Sequence, residues 1–493
     1  MKNKFYITTA ILYTNAPPHI GFAMELIQAD VLARYHRLNG DETQFLTGTD
    51  EHGTTVFKGS EKAGKNVKEF VDEMAGKALN LTKELNISND DFIRTSDQIR
   101  HWPGVQKFWR ELAGKGDLYK KNYQGLYCIG HESFMKNSDL VDGKCPLHKT
   151  KPEKIEEENW FFKLIKYKNE VKRKIENNEL QIIPSFRKNE ILNLFNDAED
   201  VSFSRPVKNI KWGIPVPGDD TQTIYVWADA LVNYISALGY ADESEKFNKF
   251  WPADVHLVGK DILRFHSIIW PTMLLSAGLS LPKAIYVHGF ITVDGEKMSK
   301  TVGNIVDPFE AIKKYGRDVI RYFLLREIPS GDDGDFSFKK LEERYNGDLA
   351  NGLGNLVQRV ATLVNDKMGG ELIYESENSK IKNTEQEDNY RKAIEEFRLH
   401  DALGEVWKNV TEANRYIDER KPWVEVKENP DGFLETMTTL ISLIHQISWL
   451  LQPFIPETSE RIFKMIGDTG SKEIINNHRF IIKMREPLFP RIS

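Results

Sequence analysis

The stretch Phe5-Tyr6-Ile7-Thr8-Thr9-Ala10-Ile11-Leu12-Tyr13-Thr14-Asn15-Ala16-Pro17-Pro18-His19-Ile20-Gly21-Phe22 decides how this chain is read. It starts as an apolar run over residues 5–13 and passes a Pro17-Pro18 step. At His19 it hands over to a helical stretch that Gly40 closes. A strand that becomes a helix at His-Ile-Gly sets backbone amides and a donor side chain where sheet proteins bind phosphates. Gly21, lacking a side chain, lets the backbone approach a nucleotide closely. A second stretch, Lys297-Met298-Ser299-Lys300-Thr301, follows the apolar run 284–293 and a tight Asp294-Gly295-Glu296 turn. Either motif alone recurs by chance. Their order, with a strand before each, gives them weight.

Working outward, residues 1–117 read as strand, helix, strand, helix: 5–13, 20–38, 43–47 and an amphipathic stretch 67–85. That alternation predicts a parallel sheet covered by helices, an α/β Rossmann-like domain. The pattern breaks over 118–220, where short strand-like pieces and a Lys/Glu-rich stretch read as a connective insertion. Strand-then-helix units return over 221–290, at 223–227, 255–258 and 284–293. Residues 291–345 carry the Lys297 loop. From about 307 the period is helical, with stretches at 341–366, 387–416 and 432–451, so 346–493 reads as an all-α bundle.

At 493 residues the chain exceeds one hydrophobic core, and roughly three or four domains are expected. Its 40% apolar and 28% charged content is that of a soluble globular protein. A net charge of −6 argues against indiscriminate nucleic-acid coating, although a local basic surface can still contact RNA. Two cysteines supply no disulfide framework and suit a reducing cytoplasm. The N-terminal run is broken by threonines and ends in Pro-Pro, so it reads as a strand rather than a signal peptide. The stretch 440–455 is too short and polar to span a bilayer and reads as a buried helix.

The two motifs resemble the His-Ile-Gly-His and Lys-Met-Ser-Lys-Ser signatures of class I aminoacyl-tRNA synthetases. In such chemistry a carboxylate attacks the α-phosphate of ATP and pyrophosphate leaves, so the protein positions the reactants and stabilises phosphoryl charge. The resemblance gives catalytic roles to His19, Gly21, Lys297 and Lys300, with Arg205 a further candidate beside the reacting groups. It places Phe22, Gly259, Asp261, Met298 and Ser299 around the nucleotide. Phe22 departs from the pattern, which has histidine there. It either forfeits a phosphate donor or packs against the adenine side.

Local motifs narrow the resemblance to the methionyl-tRNA synthetase family: 13–19, Thr49-Asp50-Glu51-His52-Gly53, Trp227-Ala228-Asp229-Ala230, Gly259-Lys260-Asp261-Ile262 and Lys421-Pro422-Trp423. Trp227, Ala230 and Tyr234 lie at helical spacing, as do Ile262, His266 and Trp270, so each set lines one helix face. With Ile11 and Tyr13 they would make an aromatic pocket suited to a polarisable thioether. Asp50, ending a strand, would pair with the substrate ammonium. The implied reaction joins L-methionine to tRNA through methionyl-adenylate, with ATP and Mg2+.

Within the insertion, Cys128-x2-His131 and Cys145-x2-His148 form two knuckle-like pairs able to surround one tetrahedral, structural zinc. Two buried cysteines beside incidental histidines is the plainer reading. In the bundle, the resemblance gives anticodon contacts to Asn355, Arg359, Pro422 and Trp423, residue types that stack on and edge-read single-stranded bases. Trp423 could instead be packed between helices. The chain ends soon after the bundle, which predicts a monomer without an appended tRNA-binding domain. Two rivals remain. One is a synthetase for leucine, isoleucine or valine, which would need a larger editing insertion. The other is a non-catalytic tRNA-binding paralogue, which the intact motifs oppose.

Overall fold

All strands of the main sheet run parallel, in the spatial order Asp91–Arg94, Glu42–Asp50, Lys4–Thr9, Val255–Gly259, Ala284–His288, Gln181–Ile183. The computed structural model describes residues 3–492 apart from 130–132, 136, 147–148, 211, 299–302, 375–383, 469, 475–477 and 484–486. They divide into two compact units, Met1–His288 and Gly289–Ser493. Strands covered on both faces need continuous apolar sequence, which is why 5–9 and 255–258 carry so few polar residues. The expected strand 5–13 is one line with a kink. Thr8 pairs with Leu46 but Leu12 with Thr49, so four residues answer three and the chain bulges near Ala10. The bulge falls just before Leu12-Tyr13, which pair with Thr49-Asp50 at the carboxyl end of Glu42–Asp50.

The helix Ile20–Leu38 begins where expected, and it buries Glu25, Gln28 and Asp30 along with its apolar residues. Being covered nearly all round, it is a core helix. Lys4–Thr9 has crossovers leaving to both sides, making the carboxyl ends of Lys4–Thr9, Glu42–Asp50 and Val255–Gly259 the switch point where open α/β sheets hold ligands.

Three expectations for this unit are corrected. The stretch 223–227 does not rejoin the main sheet: Asp219–Ile224 pairs antiparallel with Ser204–Pro206 and Pro215–Val216, and the chain turns helical at Val226–Ala230. The insertion 118–220 is not one piece. Its antiparallel sheet (Ser133–Met135, Leu118–Cys128, Glu153–Phe162, Val201–Ser202) is interrupted by Gln181–Ile183, an edge strand of the main sheet. The run 284–293 splits between units. Ala284–His288 joins the main sheet between Val255–Gly259 and Gln181–Ile183, and Ile291–Val293 pairs with Gly334–Phe336 and Glu296–Lys297. Apolar runs alone do not say which sheet a strand joins.

The second unit is mainly helical, with the long helices Asn355–Met368, Leu399–Arg420 and Pro430–Leu451. Phe397, at φ +60°, breaks the expected helix 387–416 into Thr384–Glu395 and Leu399–Arg420. The stretch 341–366 is wound as a π-helix over Tyr345–Gly354 between α-helical segments. The strands Glu371–Tyr374 and His478–Ile481, unforeseen, pair antiparallel. Pro430–Leu451 is largely buried, as expected of the stretch 440–455. Among the described residues no helix is long and apolar enough to cross a membrane.

Candidate active site

His19 caps the helix Ile20–Leu38: its Nδ1 accepts the Gly21 amide at 3.1 Å. In the neutral ring the proton is then on Nε2, aimed away from the helix and free to donate. The side chain is open to solvent although protein atoms crowd the ring. That crowding lowers its pKa from the ordinary value, Asp261 opposing the shift and His288 adding to it. His19 therefore offers a neutral N–H donor at a helix N-terminus, an anion site in both geometry and dipole.

Gly259 ends the strand Val255–Gly259, and a Cβ there would meet Asp261 Oδ1 at 2.7 Å and the His288 ring at 3.5 Å. A side chain there would push the Asp261 carboxylate aside. His288 Nε2 lies 2.8 Å from Glu25 Oε2. Burial raises the Glu25 carboxyl above its ordinary pKa, and the bond to His288 works against that. Sequence reasoning missed this Glu25–His288 pair, since Glu25 sits in a helix whose period hides it. Phe22 is buried one turn before Glu25.

The aromatic residues expected to line a pocket lie on several short windings. Trp227 and Ala230 lie on the short helix Val226–Ala230 and Tyr234 on Asn233–Ser236. His266 lies on the π-helix Phe265–Ile269, and Trp270 starts the α-helix Trp270–Ala277. Trp227 stacks on Phe265 with centroids 3.8 Å apart and stands edge-on to His266 at 6.3 Å. Tyr234 lies 6.1 Å from Trp270. The Tyr234 hydroxyl is 2.8 Å from His266 Nε2, and His266 Nδ1 is 3.0 Å from the Ile262 carbonyl. The carbonyl can only accept, so Nδ1 carries the proton and Nε2 accepts from Tyr234. Burial drives the His266 pKa down to about 4, so the ring is neutral at pH 7. Behind it, Trp270 donates to His256 Nε2 at 3.2 Å, and His256 Nδ1 meets Thr8 at 2.7 Å.

Asp50 ends the strand Glu42–Asp50 opposite Tyr13, nearly buried at 7% exposure. Beyond it lies a buried network that sequence reasoning did not foresee. Asp229 accepts from His52 Nδ1 at 2.6 Å and His101 Nε2 at 2.7 Å, and His101 Nδ1 meets Ser236 at 2.8 Å. Burial would raise the Asp229 carboxyl, but His52 and His101 outweigh it and hold it below the ordinary range. The three residues come from a loop, a helix approach and a short helix, a meeting no local pattern announces. Arg205 stands apart. It is buried, its Nη1 donates to Ser202 Oγ at 2.8 Å and the Ser204 carbonyl at 2.7 Å, and it lies over the Tyr127 and Tyr225 rings. These contacts run to both antiparallel sheets of the insertion.

In the second unit, Lys297 is exposed on a hairpin turned at Asp294 (φ +51°) and Gly295 (φ +80°), with Met298 half-buried after it. Ser299 and Lys300 lie outside the described residues. Asn355 is exposed, one turn before Arg359, whose guanidinium reaches Asp418 at 2.8 Å and lies 5.8 Å from the Trp423 ring centre. Pro422 opens the helix Pro422–Glu428, and Trp423 is 45% exposed, so it is not packed between helices. For the expected zinc, Cys128 and Cys145 are both buried, while His131 and His148 lie outside the described residues. The chain around Cys145 folds back tightly, with Cys145 N on the Thr150 carbonyl and Lys149 N on the Cys145 carbonyl.

Comparison with known proteins agrees with this geometry. The family model described as "tRNA synthetases class I (M)" matches residues 5–151 and 135–361, and the anticodon-binding domain of tRNA ligases matches 384–491. The methionine–tRNA ligase of Thermotoga maritima is 42% identical over 99% of this chain and 80% of its own length. That of Brucella suis is 40% identical over 96% of the chain and 93% of its own. The Mycobacterium tuberculosis methionyl-tRNA synthetase in complex with methionyl-adenylate superposes with a TM-score of 0.93 at 36% identity, covering 100% of both chains. The chain belongs to the methionine–tRNA ligase family of class I tRNA synthetases.

Proposed function

We infer that this chain is a methionine–tRNA ligase. The methionine carboxylate attacks the α-phosphate of Mg2+-bound ATP and pyrophosphate leaves. A terminal ribose hydroxyl of tRNA then attacks the methionyl carbonyl of the adenylate, and AMP departs. The observation carrying this reading is one juxtaposition: a neutral aromatic wall around His266 and a phosphate-competent His19 at the carboxyl ends of one parallel sheet.

In this reading Ile11, Tyr13, Trp227, Ala230, Tyr234, Ile262, His266 and Trp270 enclose the thioether side chain, and Asp50 pairs with the ammonium. A charged imidazole would repel an apolar side chain, and burial keeps His266 uncharged. His19 donates to phosphate, Gly21 and Gly259 let the nucleotide approach, and Asp261 faces the ribose. Phe22 packs beneath that end. Lys297, Met298, Ser299 and Lys300 are assigned to ATP, with the two lysines acting on the pyrophosphate charge. Asn355, Arg359, Pro422 and Trp423 read the anticodon, and the exposed indole beside a guanidinium supports stacking. We leave Arg205 a place in the wall of the insertion rather than at the phosphate.

A structural zinc held by Cys128, His131, Cys145 and His148 belongs to the same proposal. Two buried thiols and the tight turn at Cys145 suit a zinc knuckle, and four protein ligands would leave no open position for chemistry. Elemental analysis should find about one equivalent per chain, lost in Cys128→Ser. A metal-free, fully folded preparation would remove zinc from the account. We also propose that the enzyme works as a monomer in the cytoplasm, which sedimentation and fractionation test. Charging of tRNA with labelled methionine tests the whole reading. Charging is expected with methionine and not with leucine, isoleucine or valine, and its absence would refute the reading.

A further inference from the structure

The hairpin that carries Lys297 is short. Val293 pairs with Glu296 and Thr292 with Lys297, and the chain reverses at Asp294 and Gly295, both at positive φ. Two cross-strand pairs alone make a ribbon of marginal stability in water. Its support is the parallel strand Gly334–Phe336, in which Asp335 stands opposite Thr292 in register. One carboxylate oxygen of that residue, Oδ1, accepts from the Gly295 amide at 2.7 Å and from the Thr292 hydroxyl at 2.7 Å. The same oxygen therefore holds the turn and the residue paired with Lys297. The Asp294 amide adds a bond to the Phe336 carbonyl at 3.1 Å.

Burial would raise the Asp335 carboxyl, but the Gly295 amide, the Thr292 hydroxyl and the Lys340 ammonium outweigh it and hold it below the ordinary range. Asp335 is thus an anion at neutral pH, and its bonds to the hairpin are charge-assisted. Lys340 Nζ lies 3.8 Å from Asp335 Oδ2 and 3.3 Å from Glu327 Oε1, at the end of the helix Arg317–Glu327. Further along the chain, Asn304 Nδ2 donates to the Lys297 carbonyl at 3.2 Å. An ammonium on a loose ribbon would sample many positions. Stabilising phosphoryl charge requires that it be held before the reaction begins.

We propose that Asp335 is a positioning residue for adenylate formation: by clamping turn and strand of the hairpin it fixes where the Lys297 ammonium stands as pyrophosphate leaves. The proposal rests on the ligase reading above. In this role Asp335 touches no reactant and acts through Lys297. The charge that Lys297 meets develops only as pyrophosphate departs. Loosening the hairpin should therefore lower kcat for adenylation and leave the methionine KM, which the first-unit pocket sets, unchanged.

The test measures methionine-dependent ATP–pyrophosphate exchange in the full chain carrying Asp335→Ala, Lys297→Ala, or both. Asp335→Ala should lower kcat by about ten- to a hundred-fold, as a small misplacement of a reacting group does, with the methionine KM within about two-fold of the parent. Added to Lys297→Ala, it should lower kcat by no more than about two-fold further. Asp335→Asn, which keeps Oδ1 as an acceptor, should return kcat to within about five-fold of the parent. A loss that multiplies in full with that of Lys297→Ala would assign Asp335 to the fold in general and overturn the proposal. An unchanged kcat, or an effect on the methionine KM alone, would overturn it too. Should Asp335→Ala fail to fold, Thr292→Val decides: without a kcat loss there that disappears beside Lys297→Ala, the proposal fails. A parent without exchange would instead refute the ligase reading, and a fully active Lys297→Ala chain the role of Lys297; the proposal falls with either.

Discussion

Replacing Asp229 separates the support of the aromatic wall around His266 from the wall itself. Asp229 and His101 are fully buried and His52 is 2% exposed, so their two hydrogen bonds are shielded from water. Both bonds are short and charge-assisted, at 2.6 and 2.7 Å. Asp229→Asn keeps the volume and one accepting oxygen but removes the charge. One bond drops towards the value of a neutral pair, about 1 kcal/mol less, and the amide nitrogen then faces the other histidine N–H, at a cost of about 2 kcal/mol, so the catalytic unit should lose about 3 kcal/mol. Asp229→Ala removes both acceptors and strands two buried imidazole nitrogens, which should cost about 4 kcal/mol. Because Asp229 lies between Trp227 and Ala230, the alanine variant should also raise the methionine KM by about ten-fold, equivalent to ~1.4 kcal/mol. Urea unfolding followed by circular dichroism, on the transition that methionine and ATP shift, measures the first effect, and exchange kinetics the second. An Asn variant within about 0.5 kcal/mol of the parent, with an unchanged KM, would refute the role given to this network.

Further outcomes follow from the same geometry. His266 has a folded pKa of about 4, below its unfolded value, so its contribution is present above about pH 6.5 and lost as pH falls towards 4. The catalytic unit should be about 2 kcal/mol less stable near pH 5 than near pH 7.5, and His266→Gln should flatten that dependence. A pH-independent urea midpoint would contradict it. Trp423→Ala should weaken charging while sparing exchange, and equal losses in both would point to misfolding. Phe22 is buried, so Phe22→His should change adenylation by no more than about ten-fold. Exchange that appears only after Phe22→His would mean the site had decayed.

The parallel sheet and the helix after His19 were legible because strands buried on both faces and a capped core helix leave continuous, local signals. The aromatic wall was legible too, although its winding was not. Side chains four apart share a face whether the turn is α or π, so Ile262 and His266 came together for a reason the spacing only approximates. Sheet membership was not legible. Asp219–Ile224 and Val255–Gly259 both look like strands, and only distant partners send them to different sheets. Nor were the buried ionisable networks. Glu25 with His288, and Asp229 with His52 and His101, are pairings over long sequence separations with no spacing rule. The surroundings of Arg205 were not legible either, since Ser202 and the Tyr127 ring come from one antiparallel sheet of the insertion and Ser204 from another.

We propose that methionine is activated in the pocket bounded by Asp50 and the His266 wall. Methionine-dependent ATP–pyrophosphate exchange, compared between the parent and Asp50→Ala, tests it most directly. The parent should exchange with methionine, and Asp50→Ala should lose about 3–5 kcal/mol in kcat/KM, two to three orders of magnitude or more, by stranding the ammonium in a nearly closed site. No exchange in the parent, or an Asp50→Ala chain as active as the parent, would contradict the account.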